Sequence, residues 1–114
     1  MDKSLEMVKI ACNALDEKKA DNIKVIDISK ISPLADYYII TSGDNINQLH
    51  AIVDNVLEKM KKAGYELRSE EGHNSDSWIL LDFNDIVIHI FSKEARSYYD
   101  IERVWADGKL VSEI

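Results

Sequence analysis

A strand runs directly into a helix at residues 37–45, which read YYIITSGDN. Residues 37–41 are aromatic and β-branched without polar alternation, a pattern typical of a strand that is buried on both faces. Asp44 or Asn45 can then cap a helix, and Gln48 would complete a capping box. The segment therefore predicts a buried strand followed at once by a helix.

The helix that begins here reaches about residue 63, and Gly64 behind it is a good stop signal. A short strand is predicted next, at residues 65–68. A strand, a helix and a second strand joined by tight connections form a crossover unit, and such units are parallel and right-handed. The sequence therefore predicts that residues 37–41 and 65–68 belong to two parallel strands.

Hydrophobic periodicity predicts further elements on both sides of this unit. The helices are expected at residues 3–19 and 98–105, the strands at 23–28, 78–82 and 86–91, a connector at 29–36 and a polar loop at 69–76. Residues after about 106 are expected to be weakly ordered. The predicted fold class is α/β: a single domain over residues 1–114, with a mixed sheet of about five strands and the helices packed on it.

Composition and charge restrict the class of partner. The chain has 114 residues, of which 46% are hydrophobic, as expected for one globular domain. The net charge of −7 is uneven, because residues 1–65 carry 10 acidic and 9 basic side chains whereas residues 66–114 carry 11 and 5. Phosphate contacts require Lys and Arg, so this charge argues against nucleic acid as the main ligand. It allows a basic protein partner.

The sequence also predicts the compartment. No apolar run is long enough to span a membrane, and the first residues lack the apolar core of a signal peptide. The one cysteine, Cys12, cannot form an internal disulfide, which fits a reducing environment. We expect a cytoplasmic protein that does not bind membranes.

Candidate catalytic and metal-binding motifs are few. The three histidines lack ligand spacing, and the chain has neither a Gly-x-Ser-x-Gly elbow nor a Gly-rich phosphate loop, so we expect no cofactor, no metal and no enzyme activity. Asp82 and Asp85 are the exception, because acidic pairs on strands hold Mg²⁺ in nucleotidyl and phosphoryl transferases. The Gly-Ser pair that usually accompanies such carboxylates, at the start of a preceding helix, is absent from this sequence as a pair. Turn capping and a solvated acidic rim are the other interpretation, and a metal-dependent transferase is the alternative function.

Aromatic residues are the more informative group. Trp78 opens a predicted strand directly after an acidic loop, and Tyr98, Tyr99 and Trp105 cluster near Arg96 in the last predicted helix. Trp and Tyr rimmed by charge are typical anchors of protein interfaces. Core packing explains the same residues equally well, and for Trp78 both interpretations stay open at this point.

Short motifs follow one another in a fixed order along the chain. The second half contains Glu71-Gly72, Ser77-Trp78, Leu80-Leu81-Asp82, DIVIHIF at residues 85–91, Arg96, Tyr99, Glu102-Arg103 and Trp105. The first half contains Asp27, Asp36, residues 38–41, Gly43, Gln48 and residues 51–54. With these gaps the set resembles the ribosomal silencing factor family, RsfS or Iojap, over about residues 3–106. One departure from the family pattern lies at the start of the second predicted helix. The family has Thr-Gly-x-Ser there, whereas residues 41–45 of this chain read TSGDN.

The resemblance implies a fold and a function. It implies a small α/β protein with a nucleotidyltransferase-like fold, without catalysis, that often forms a homodimer. Such proteins bind the large ribosomal subunit through ribosomal protein number fourteen of that subunit. They block the joining of the small subunit and so repress translation when nutrients are scarce.

The resemblance also suggests the partner-binding residues. Trp78 is the expected anchor, and Asp82 and Asp85 are expected to face basic side chains of the partner. Supporting or nearby residues are Glu71, Arg96 and Tyr99. His89 belongs to the same motifs, and the sequence assigns it no role.

Overall fold

The computed structural model describes residues 3–72, 75–99, 103 and 109–111. The described helices are α1 (Lys3–Glu17), α2 (Ile46–Lys62) and α3 (Lys93–Tyr99). The strands are β1 (Asp21–Asp27), β2 (Tyr37–Gly43), β3 (Ser69–Glu71), β4 (Trp78–Asp82), β5 (Ile86–Ser92) and β6 (Lys109–Val111). Most of these bounds agree with the hydrophobic periodicity of the sequence.

The strands form one mixed sheet. Its order is β3-β4-β5-β2-β1-β6, with β2 and β5 parallel at its centre and every other neighbouring pair antiparallel. The predicted α/β class with a mixed sheet is confirmed. The described residues contain six strands rather than about five.

The predicted crossover unit is partly wrong. Residues 65–68 are not a strand, and the parallel partner of β2 is β5, with Tyr37 opposite Ile86. Two backbone bonds explain the difference: the Tyr65 N–H still donates to the carbonyl of Met60 at the end of α2, and the Arg68 N–H donates to the Asp82 carbonyl. The chain therefore leaves α2 without forming a strand at residues 65–68, and it joins the edge of the sheet at β3.

The chain joins this edge inside the predicted polar loop. Residues 69–71 are β3, which pairs antiparallel with β4 so that Glu71 lies opposite Leu80. An exposed, polar strand of three residues carries little hydrophobic signal, because the pairing is made by backbone groups. The loop prediction was therefore wrong for these three residues.

The start of α2 agrees with the predicted cap. The Asn45 side chain accepts a hydrogen bond from the Gln48 N–H at 2.9 Å, and the Gln48 side chain accepts one from the Asp44 N–H. Gly43 lets the two elements approach closely, since a Cβ there would lie 2.9 Å from Leu49 Cδ2. These local contacts hold the strand–helix junction despite its unusual sequence.

The third helix begins earlier than predicted. The Ser92 hydroxyl accepts a hydrogen bond from the Ala95 N–H at 3.1 Å, so α3 starts directly after β5 rather than at residue 98. Arg103 is helical, while Trp105 lies outside the described residues. Residues 109–111 pair with β1, within the stretch after about 106 for which the sequence led us to expect weak order.

The two faces of the sheet pack differently. One face, called here the helical face, lies under α1 and α2 and contributes buried residues such as Ile39, Leu81 and Ile88. The other, called here the aromatic face, packs against α3, with Ile40 and Phe91 buried and Trp78 partly buried. The predicted site residues on β4 lie on this second face.

Candidate protein-binding surface

Strand alternation arranges the side chains of the aromatic face. Successive residues of a strand point to opposite sides of a sheet, so Trp78 and Leu80 of β4 share a side, as do His89 and Phe91 of β5. The register places Trp78 opposite Phe91 and Leu80 opposite His89. Trp78 therefore stands where β4, β5 and the end of α3 meet.

Five rings form a continuous group on this face, called here the aromatic cluster: Tyr38, Trp78, His89, Phe91 and Tyr99. The centroid of the Trp78 ring lies 5.1 Å from that of Phe91 and 5.0 Å from that of Tyr99. The His89 ring meets Tyr38 edge to face at 4.7 Å. These separations are those of favourable aromatic pairs. The structure thus brings two predicted residues, Trp78 and Tyr99, into contact.

The aromatic cluster has a buried base and an accessible rim. Phe91 and His89 are 0% and 3% exposed, whereas Trp78 and Tyr38 are half-buried and Tyr99 is 46% exposed. Core packing is therefore confirmed for part of Trp78, and its role as an interface anchor stays a prediction. One part of the indole packs against the core, and the rest remains accessible at the surface.

His89 forms a hydrogen bond with the Trp78 ring at the base of the aromatic cluster. The Trp78 indole N–H donates a hydrogen bond to His89 Nδ1 at 3.2 Å. Burial lowers the pKa of His89 from 6.5 to about 4, so the imidazole is neutral near pH 7. The sequence could have signalled this contact, since His89 stands between two buried isoleucines in an alternating strand, but the pairing depends on a register that the sequence does not show.

Glu71, one of the predicted supporting residues, lies beside Trp78. It lies with Gly72, Trp78 and Leu80 around an open pocket of about 280 Å³. Gly72 has φ +76°, and a Cβ there would lie 2.2 Å from the Trp78 carbonyl oxygen. Glycine is required at this position, because only glycine allows the chain after β3 to pass so close to the start of β4.

Asp82 and Asp85 have separate local roles. The Asp82 carboxylate accepts a hydrogen bond from the Asn84 N–H at 2.7 Å and so caps the β4–β5 turn. Burial, and then the charge of Asp82, raise the pKa of Tyr38, which places this carboxylate near the aromatic cluster. Asp85 instead forms an ion pair with Lys3 at 3.8 Å. Turn capping, the second interpretation of this acidic pair, is confirmed for Asp82.

Arg96 lies inside the protein rather than at its surface. It is 8% exposed, and its guanidinium lies within hydrogen-bond distance of the Asp21 carbonyl at 3.3 Å and of the Ser42 hydroxyl at 3.4 Å. These contacts join α3 to the ends of β1 and β2. Arg96 therefore supports the aromatic face by holding α3 against β1 and β2, and its charge is buried rather than accessible to a partner.

Metal ligands and nucleophiles are the remaining candidates for chemistry. Across the described ranges, no three His, Cys, Asp or Glu side chains are grouped so that they could hold a metal ion. Burial raises the pKa of Cys12 to about 11, which keeps its thiol protonated. In the same part of the chain, no helix is long and apolar enough to cross a membrane.

Comparisons with known proteins identify the family of this chain. The whole chain, residues 1–114, matches the family described as "Ribosomal silencing factor during starvation". The ribosomal silencing factor RsfS of Chromobacterium violaceum is 38% identical over 91% of this chain and 85% of its own, and that of Bacillus subtilis is 36% identical over 91% and 88%. A crystal structure of a Chromobacterium violaceum protein superposes with a TM-score of 0.89 at 36% identity, over 92% of this chain and 88% of that one. The chain therefore belongs to the RsfS family of ribosomal silencing factors.

Proposed function

We propose that this protein is a cytoplasmic translational repressor that binds the large ribosomal subunit and blocks its association with the small subunit. The contact on the ribosome is ribosomal protein number fourteen of the large subunit, and repression acts when nutrients are limiting. The family assignment supports a regulatory role at the ribosome. The partner and the blocking step are the proposal.

The observation that carries the proposal is the position of Trp78. Its ring is half-buried, stacked on Phe91 and flanked by Tyr99, so it is held in place and still accessible. A rigid, partly exposed aromatic residue gives a large contact area at little further cost in side-chain entropy. Trp78 therefore has the properties of an interface anchor.

Charge around the aromatic cluster favours a basic partner. Glu71 borders the pocket beside Trp78, and Asp82 is half-buried at the other end of β4. A lysine or arginine entering the pocket would place its stem against Leu80 and its cation beside Glu71. Ribosomal proteins are rich in such side chains, whereas acidic residues repel RNA phosphates. The surface thus suits a protein of the ribosome better than its RNA.

Repression by this route requires no catalytic group. The molecule measures 35 × 33 × 24 Å, which is large compared with a single protein–protein contact. Bound at the face of the large subunit where the small subunit docks, such a body would occupy the space that the second subunit needs. Affinity for the large subunit and the volume of the domain are then sufficient for function.

The first experiment is sedimentation of the purified protein with isolated subunits, using Trp78→Ala and Tyr65→Ala as a matched pair. Tyr65 is also a half-buried aromatic residue, but it packs on the helical face. We expect the unmodified protein and Tyr65→Ala to sediment with large subunits only and to reduce subunit joining. Trp78→Ala should lose about 2–4 kcal/mol of binding. Equal binding by both variants, each shown to be folded, would remove Trp78 from the interface.

The same preparation separates the alternative functions. A transferase would bind a nucleoside triphosphate with Mg²⁺ and lose that binding in Asp82→Asn, whereas the proposed repressor ignores the nucleotide. Sedimentation equilibrium of the free protein tests whether it forms the homodimer that the family resemblance implies. Adding ribosomal protein number fourteen alone, without the rest of the subunit, tests the direct contact.

A further inference from the structure

His89 is the residue of the sequence motifs that the proposed function leaves unexplained. It lies at the base of the aromatic cluster, 97% buried, between the rings of Tyr38 and Trp78. Its ring is nearly parallel to that of Phe91, with an interplanar angle of 8° and a centroid distance of 6.1 Å. Contacts on several sides leave this imidazole little freedom to rotate.

The hydrogen bond between Trp78 and His89 defines the protonation of the imidazole. An indole N–H can only donate, so His89 Nδ1 must accept and carries no proton. In a neutral imidazole the proton then resides on Nε2, which is buried and has no hydrogen-bond partner among the residues that the structure describes. The contact therefore exists only with the neutral ring in one tautomer.

Building on the proposed function, we propose that His89 is a positioning residue that holds the Trp78 indole in the orientation that docks on the ribosome. Phe91 stacks under the indole and Tyr99 flanks it, but these ring contacts do not select which edge of the indole faces His89. The bond to Nδ1 fixes that remaining freedom, since it is directional. A binding residue held in this way loses less entropy when the partner arrives.

Two substitutions distinguish positioning from packing. In His89→Asn the amide oxygen lies close to the place of Nδ1, so an acceptor for the indole is retained. In His89→Leu a side chain of similar size fills the space without any acceptor. A purely structural role for His89 predicts that binding follows stability in both variants. A positioning role predicts that binding follows the acceptor.

The test combines two measurements on the folded full-length protein at pH 7. The first is hydrogen exchange of the Trp78 indole N–H by NMR, assigned through the loss of its signal in Trp78→Phe. The second is affinity for isolated large subunits. We expect His89→Leu to speed exchange and to weaken binding about three- to tenfold, the range of one hydrogen bond. His89→Asn should stay close to the unmodified protein in both.

Each other outcome overturns the proposal. Unchanged exchange in His89→Leu would mean that the bond does not hold the indole, and faster exchange with unchanged affinity would mean that its orientation does not serve docking. Equal loss of binding in both variants, in proportion to their loss of stability, would reduce His89 to a packing residue. If the unmodified protein fails to bind large subunits, the proposed function fails, and the exchange data still decide whether His89 holds Trp78.

Discussion

The two faces of the sheet contrast in what their packing leaves accessible. On the helical face, residues such as Ile39, Leu81 and Ile88 are fully buried under α1 and α2. On the aromatic face, Phe91 is buried while Trp78 beside it remains half-buried. Burial on the helical face therefore serves stability, whereas the aromatic face uses buried rings to support a partly exposed one. Substitutions on the two faces should therefore separate stability from binding.

The largest expected effect is a core substitution on the helical face. Ile88→Ala removes a fully buried side chain of β5, and we expect a loss of about 2–5 kcal/mol in the free energy of unfolding. Val87 is its neighbour on the aromatic face and is half-buried, so Val87→Ala should cost about 1 kcal/mol. Urea unfolding of both variants measures the difference. Similar losses would show that β5 depends equally on its two faces for stability, and the contrast between the faces would fail.

Acid should weaken the aromatic face through His89. Its pKa is about 4 in the folded protein against 6.5 without burial. Between these values the unfolded chain binds more protons than the folded one, so stability falls as the pH is lowered through this window. The free energy of unfolding falls by about 3 kcal/mol over the whole window, and by about 2 kcal/mol at pH 5. The nearby carboxylate of Asp82 and hydroxyl of Tyr38 are unchanged in His89→Asn.

Urea unfolding at pH 7 and pH 5 provides the measurement, with His89→Asn as the control. The control lacks the titrating ring, so its stability should change less between the two pH values. A fall of the same size in both proteins would assign the acid sensitivity to other groups. The result would also show whether the neutral imidazole at the base of the aromatic cluster is what the fold requires.

Local signals in the sequence predicted β4 and the start of α2 well, whereas α3 was predicted to begin at residue 98 and begins at Lys93. The strand expected at residues 78–82 is β4 as observed, and the cap at Asn45 starts α2. Both depend on contacts within a few residues, which a sequence pattern can show. The parallel partner of β2 was mispredicted, because pairing with β5 joins segments more than forty residues apart. The short strand β3 was missed for a related reason, as its pairing uses backbone groups that carry no sequence signal.

The candidate site was predicted in part for the same physical reasons. Trp78 and Tyr99 were expected as interface residues, and their rings are in contact. Arg96 was expected near the partner, but it is buried, since its long side chain reaches back to β1 and β2. The sequence assigned His89 no role because its contact with Trp78 joins two neighbouring strands, and the sequence does not show how they pair. Residue type indicates what a side chain can do, while the register decides which neighbour it meets.

A smaller effect is expected at Gly72, which links β3 to the Trp78 end of β4. Gly72→Ala adds a Cβ at a position with φ +76° and 2.2 Å from the Trp78 carbonyl oxygen, so β3 must shift. We expect a loss of about 1–3 kcal/mol in stability and weaker binding to large subunits. Gly64→Ala is the matched control, because it has φ +89° and no atom within 4 Å of the added Cβ. If both variants lose the same stability and bind alike, the close approach at Gly72 has no role in placing Trp78.

The smallest expected effect is that of a single charge at the rim of the pocket. Glu71→Gln removes the carboxylate beside Trp78, and Glu66→Gln removes another exposed carboxylate near Tyr65, so both variants change the net charge by the same amount. We expect Glu71→Gln to weaken binding to large subunits by less than about 1 kcal/mol, since rim charges are screened by water and salt. The loss should shrink further as salt is raised from about 50 to 200 mM, because the Debye length then falls from roughly 14 to 7 Å. Equal effects of the two variants at every salt concentration would mean that the partner responds to the total charge of the protein, and that the acidic side chains beside Trp78 contribute no local contact.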